Sequence, residues 1–441
     1  MVSLEDPISI GPVALDNRLY RAPLLECAAN DPDAADILQR HLEPAAATGT
    51  GLIFQGACLV TAEGGRTAPG LTRVHDDSFV AGLEPAVEAI QDHGAQLFCQ
   101  IGHGALQSME LWHTGYREAH PDLTTYAIDD PPWWLRALWH TPILHRPDLE
   151  VMSEHRLATL AERFGEAAGR LYEAGYDGIH LAGANASIFQ QLWSPVFNGR
   201  SDAYGGDSID ERSRFLREVV TAIRDHTEPG FPVTTKIPCE SEAPGVARQA
   251  LDEQDTVQIA KACQAAGIDA VVPVRVGATR DQSVARGRFP DIAWNDDRFQ
   301  SDYDDVFGSS WRKRLIRGLN RLAAKAIEPE PAWNADLCKR VREAVDVPVL
   351  CEGGIRERSQ MDQLLAEGAC DAVGMARPFY AEPRIAHRIL HEAGARVLCE
   401  SCNNCTIPQI AGADGVCRTP TIMAQRGEYA KQGRYDEPDG D

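Results

Sequence analysis

The sequence predicts an α/β fold, a (β/α)8 TIM barrel with insertions after strands 3 and 6 and a C-terminal cysteine-rich cluster segment. Three observations predict it. Short apolar runs alternate with segments of helical period eight times over. Two of the alternations are interrupted by long stretches that hold most of the tryptophans. Four of the twelve cysteines fall within nineteen residues, CESCNNCTIPQIAGADGVC at 399–417. A length of 441 residues suits one large barrel with additions. Periodicity alone leaves a doubly wound sheet as the rival.

The strand candidates are 18–24, 51–58, 95–101, 176–181, 232–237, 269–275, 347–351 and 370–375. Each is a short apolar run of the kind a strand buried on both faces requires. Helical period follows in between. In 153–174, Leu157, Leu160, Phe164, Ala168 and Leu171 fall on one face. In 208–226, Ser208 and Glu211 form a capping-box pattern ahead of Phe215, Leu216, Val219, Val220 and Ile223. The insertions are residues 104–150, with Trp112, Trp133, Trp134 and Trp139, and residues 278–334, with Trp294, Trp311 and Trp333. Both follow strand C-termini, the catalytic face of such barrels, so they read either as lids or as aromatic packing. The expected division is a barrel over 1–395, a cysteine-rich segment over 396–419 and a polar tail over 420–441 that is mobile at its end.

Composition narrows the function. A net charge of −22 repels nucleic acid and anionic membranes. Lysine occurs six times, so arginine carries the positive charge, a balance that suits concentrated salt or an ordinary acidic enzyme. No apolar run is long enough for a membrane span, and MVSLEDPISIGPVALDN is no secretory leader. The other eight cysteines sit mostly in apolar contexts such as QLFCQIG, which reads as a reducing, cytoplasmic setting. A homo-oligomer is open.

Gly353-Gly354 follows the seventh strand candidate, and Gly374-Met375-Ala376-Arg377 ends the eighth. Barrels of this class place phosphate on the loops after those two strands, where small residues let backbone N–H groups approach and arginine adds a charged fork. The pattern points to a phosphorylated cofactor; plain turn glycines are the other reading.

The stretch SPVFNGRSDAYGGDSIDERSRFLREVVTAIR at 194–224 resembles the signature of the Old Yellow Enzyme family of FMN-dependent oxidoreductases. The resemblance runs through NRLYRAP at 17–23, GLIFQGA at 51–57, QIGHG at 100–104, CEGGIRERSQ at 351–360 and DAVGMARPFYAEP at 371–383. It implies FMN, with Ala22, Pro23 and Ala57 lining the ring and Gln100 on its pyrimidine end. It implies Lys236 beside flavin N1, where the family usually has arginine, and Gly353, Gly354, Ala376 and Arg377 on the phosphate. One branch of the family, which includes the 2,4-dienoyl-CoA reductases and trimethylamine dehydrogenase, carries a [4Fe-4S] cluster just after the barrel. The C-x2-C-x2-C-x11-C spacing of Cys399, Cys402, Cys405 and Cys417 is similar to that branch, and zinc is the chemical rival.

The block YDGIHLAGANASIFQQL at 176–192 departs from the family. Ala182 stands where a histidine is usual, Asn185 fills the second position of that pair, and Ser187 replaces the tyrosine that protonates substrate carbon. His180 is a further catalytic candidate, although a lone strand histidine is more often structural. Leu25 replaces a polar residue near the flavin and leaves no cysteinyl link there; Glu26 and Cys27 follow it. Two reactions of a small-molecule substrate compete: oxidative dehydrogenation or demethylation of an N-methyl amine, and reduction of an activated C=C bond. A flavin and iron-sulfur electron carrier without turnover, or an NAD(P)H-dependent ene-reductase without a cluster, are the alternatives. The chain shows no G-x-G-x-x-G between strand and helix, so electrons are expected to pass to or from a separate electron-transfer protein or partner reductase, with NAD(P)H also open. The basic run WRKRLIRGLNRLAAKA at 311–326 reads as a helix neutralised by acidic neighbours, or as a dock for an acidic carrier.

Overall fold

The structure, a computed structural model, describes residues 2–28, 33–141, 143–247, 249–279 and 285–436. Eight parallel strands form the barrel: β1 (Leu19–Arg21), β2 (Leu52–Leu59), β3 (Gln96–Gly102), β4 (Gly178–Leu181), β5 (Val233–Cys239), β6 (Ala270–Arg275), β7 (Leu350–Glu352) and β8 (Ala372–Met375). They pair in the order β6-β5-β4-β3-β2-β1-β8-β7, and a parallel bridge between Val271 and Val349 brings β6 and β7 together. All eight sit on the candidate runs of the sequence. The doubly wound alternative is ruled out because a doubly wound sheet leaves two edges, whereas here the outermost strands meet.

Side-chain alternation sorts each strand into two faces. Tyr20, Leu52, Phe54, Phe98, Val272, Val274, Leu350 and Ala372 share one buried interior cluster. Leu19, Ile53, Leu97, Cys99, Ile179, Leu181, Val233 and Val373 belong to the larger core under the helices. An N-terminal hairpin, Ile8–Ile10 with Val13–Leu15, sends Ile10 and Leu15 into the interior cluster and plugs the bottom of the barrel.

The surrounding helices are α1 (Ala34–Ala46), α2 (Glu84–Gln91), α3 (Glu154–Glu173), α4 (Arg214–His226) and α5 (Glu253–Ala266). Then come α6 (Ser310–Ala326), α7 (Ala335–Arg342), α8 (Arg358–Ala366), α9 (Ile385–His391) and α10 (Pro420–Lys431). Ser153 caps α3, and all five residues named on its apolar stripe are buried. The Ser208–Glu211 capping box forms, but its helix ends after one turn at Arg212 and α4 restarts at Arg214. The tail is more structured than its polarity suggests. It forms α10, and Tyr435 then buries its ring and donates from OH to Glu382 Oε1 at 2.8 Å; residues 437–441 lie outside the described set.

The two insertions are one unit. Arg312 of α6 is buried and donates to Thr114 Oγ1 at 2.7 Å, to the Trp112 carbonyl at 2.9 Å and to the Ile143 carbonyl at 3.1 Å. His145 Nε2 lies 3.1 Å from the same guanidinium, and burial together with that cation pushes the imidazole pKa down to about 4, so the ring stays neutral and accepts. Trp294, Tyr303, Val306 and Phe307 of the second insertion share a satellite core with Trp112 of the first and with Ile407 and Ile410 of the cysteine-rich segment. Trp112 and Trp294 therefore act as packing, whereas Trp133 and Trp311 are exposed. Among the described residues no helix is long and apolar enough to cross a membrane.

Candidate functional site

The strand C-termini converge on one mouth, and the residues singled out from sequence lie around it. Ala22 is fully buried just past β1, tied by its N–H to the Met375 carbonyl at 2.9 Å, and half-buried Pro23 follows. Ala57 sits where the β2–β3 register slips between Gln55 and Cys58. The cause of that slip was not legible in the sequence. Glu26 turns inward, takes Arg21 Nη2 at 2.8 Å on one oxygen and the Gly56 N–H at 2.7 Å on the other, and so clamps the ends of β1 and β2. Burial raises the Glu26 pKa against the pull of Arg21 and the Gly56 amide.

Gln100 and His180 face each other across β3 and β4, on the interior parity of Phe98. His180 therefore points into the barrel. Its Nδ1 lies 2.9 Å from Thr234 Oγ1, its ring packs 4.5 Å from that of Phe54, and its Nε2 is buried without a partner. Burial first and Lys236 second hold its pKa well below the usual imidazole range. Lys236, two residues beyond Thr234 on β5, pairs with Glu352 Oε1 at the end of β7, and Tyr20 OH lies 3.5 Å from the other oxygen. Glu352 was visible in the CEGGIRERSQ block but carried no signal of its role.

The loop after β4 is strained and well supported. Asn185 and Ala186 are consecutive non-glycine residues at φ +64 and +60. Gln190 and Gln191 hold the loop: Ala186 N–H donates to Gln190 Oε1 at 2.7 Å, and Gln191 Nε2 donates to the Ala186 carbonyl at 2.6 Å. Glu240 anchors Gln190 in turn, at 2.8 Å. Held this way, Asn185 Oδ1 and Ser187 Oγ are buried with no hydrogen-bond partner. Together with His180 Nε2 they are orphaned polar atoms, which native folds rarely leave without a ligand or water.

Gly353 and Gly354 lie at φ +107 and +70, and a Cβ on either would press on Trp333 at under 3 Å, so only glycine fits this turn. Arg377 opens the short helix Arg377–Ala381 after β8, donating to the Arg286 carbonyl at 2.8 Å and to Asn403 Oδ1. Arg356, two residues past the glycine pair, donates to the Cys399 carbonyl and to Ser401 Oγ. Burial lowers the Arg356 pKa and Arg377 adds to it by repulsion. Neither arginine has a carboxylate partner among the described residues.

Those two arginines also shape the cysteine segment. Ser401 and Asn403, the residues on either side of Cys402, are held at φ +52 and +59, which curls the chain around the thiols. Burial in the first place pushes the Cys405 pKa up to about 12, and Cys399, Cys402 and Cys417 add to the rise, so the other three thiols lie within electrostatic reach of Cys405. Cys402 Sγ lies 3.0 Å from Thr419 Oγ1. As arranged, no three His, Cys, Asp or Glu among the described residues stand close enough together to hold a metal ion.

A family model described as NADH:flavin oxidoreductase / NADH oxidase family matches residues 3–290, well over half of the sequence. The chain belongs to that family. A dihydrouridine synthase model matches residues 321–410. Among curated relatives of this flavin oxidoreductase family member, a metal reductase of Desulforamulus reducens is 25% identical over 91% of this chain and 51% of its own. An N,N-dimethylglycine/sarcosine dehydrogenase of Chromohalobacter salexigens is 25% identical over 94% of this chain and 52% of its own. The chain thus spans about half the length of the curated relatives it matches. Histamine dehydrogenase from Rhizobium sp. 4-9 superposes with a TM-score of 0.71 at 21% identity, over 96% of this chain and 53% of that one, a likeness of fold.

Proposed function

We propose that the chain binds FMN at the barrel mouth, binds a [4Fe-4S] cluster on Cys399, Cys402, Cys405 and Cys417, and exchanges hydride between the flavin and a small organic substrate. Electrons then pass to or from a redox partner, a protein or NAD(P)H. The observation that carries this reading is the pair of cations Arg356 and Arg377, without a carboxylate partner among the described residues, beside a turn that only glycine can make. On a chain of charge −22 such a pair calls for an anion, and a phosphate supplies it. The orphaned polar atoms of His180, Asn185 and Ser187 fit a bound ring and substrate. Four thiols within one nineteen-residue segment are the donor set an iron-sulfur cluster takes, with closure of the loop left for the cluster to complete.

When bound, FMN supplies hydride acceptance and donation at its ring. In this reading Ala22, Pro23 and Ala57 line the ring, Gln100 orients its pyrimidine edge, and Lys236 presents a cation there. Gly353, Gly354, Ala376 and Arg377 hold the phosphate. Asn185 holds the polar end of the substrate. Ser187 offers a hydroxyl, a weak acid, and burial keeps His180 neutral, so neither is a ready proton source. Reduction of an activated C=C bond needs a proton at the second carbon. Dehydrogenation of an N-methyl amine does not, and a relative named for such substrates supports that direction.

Anaerobic purification followed by flavin and iron analysis tests the reading. About one FMN and four irons per chain is the expected result. FMN with zinc or no metal would make the cysteines structural, and absence of FMN would overturn the proposal. Mixing oxidised protein with N-methyl amines should then bleach the flavin; bleaching by none, with re-oxidation by activated alkenes, would reverse the assigned direction.

A further inference from the structure

Lys236 is not a free cation. Its side chain is 7% exposed and its partner Glu352 is 12% exposed, so the pair lies largely out of water, where charges act on each other and on a neighbour with little screening. Tyr20 OH approaches the second carboxylate oxygen at 3.5 Å. The strand between them, β6, presents Val272 and Val274 to the interior, so among the described residues the carboxylate's polar contacts are the ammonium and the phenol.

We infer that Glu352 is a positioning residue that sets the reduction potential of the flavin by orienting Lys236 and cancelling part of its charge. The inference rests on the FMN reading. A flavin ring gains negative charge when reduced, and a lone cation beside it favours that state. A carboxylate bonded to the same cation opposes it. The pair therefore lowers the potential relative to lysine alone and makes the flavin a stronger donor. It also fixes the ammonium: a flexible lysine clamped from β7 can meet the ring from one direction only.

Flavin midpoint potentials, measured anaerobically against indicator dyes in the FMN-loaded chain, test this. Glu352→Gln keeps the shape and removes the charge, and Glu352→Leu removes both charge and polarity. Both should shift the potential to more positive values, and oxidation of the reduced flavin by a fixed artificial acceptor should slow. A purely structural partner would leave the potential of any folded, flavin-loaded variant where it was, and that result overturns the inference. Failure of both variants to fold and load would make the pair a structural clamp and overturn it as well. Wild-type chain that takes up no FMN overturns the cofactor reading itself, a separate outcome visible before any variant is made.

Discussion

Glu110, in the first insertion, is a residue whose sequence gave no warning. It is buried, neither carboxylate oxygen has a hydrogen-bond partner, and desolvation lifts its pKa from an ordinary 4.5 to about 7. A carboxyl group with a raised folded pKa stabilises most below the unfolded value and loses that contribution as pH rises through the folded one. Glu110 should therefore cost up to about 3 kcal/mol between pH 4.5 and 8. Glu110→Gln is expected to match wild type in denaturant unfolding at pH 4 and to exceed it at pH 8. At the same scale, Arg377→Met should weaken FMN retention by about tenfold or more, since the proposed charge-assisted contact to phosphate is lost; equilibrium dialysis reads this directly. Cys402→Ser and Cys405→Ser should abolish iron uptake while FMN stays bound, as metal analysis of the purified variants would show.

At the scale of elements, strands were legible and joints were not. The eight apolar runs became the eight strands because burial on both faces leaves a continuous apolar signature. Capping chemistry located the start of the helix at Ser208, and helical period placed α3 within 153–174, for the same local reason. What remained hidden depends on contacts distant in sequence: Glu26 bonding Gly56, Glu352 meeting Lys236, and Arg312 joining two insertions. The side of β4 on which His180 lies needed the register with Gln100. In the basic run of α6, acidic neighbours do engage the charge: Lys313 pairs with Asp304, and Arg317 and Arg321 lie 3.6 and 3.2 Å from Asp291. Arg312 is the structural tie. Arg312→Ala leaves several buried acceptors without a donor and should cost about 3 kcal/mol. Limited proteolysis is expected to cut the variant inside 104–150 and 291–326 well before wild type, with the barrel surviving.

At the scale of the whole molecule, the acidic surface makes a prediction of its own. Self-repulsion from a net charge of −22 weakens the compact state, and salt shortens its range. Unfolding temperature should rise steadily from low to multimolar KCl; a flat profile would mean that the surface is merely acidic. The composition made this readable from the start, whereas the union of insertions, the Gly353-Gly354 turn and cysteine segment into one assembly was not. That assembly depends on side chains such as Arg356 and Arg377, whose partners lie tens of residues away.

The Leu25 carbonyl takes the Tyr380 hydroxyl at 2.7 Å and Gln409 Nε2 at 2.7 Å, so the cysteine segment is fastened to the loop that follows the first strand. The two ends of that fastening are 384 positions apart. A contact of such separation forms only after nearly everything between has been synthesised and has closed into its ring. Seating of the cysteine segment is thus timed by biosynthesis. A ribosome-bound chain that has just emitted its eighth strand already has the barrel's framework, yet the cysteine segment still awaits the residue that seats it, so its docking comes after the barrel has formed.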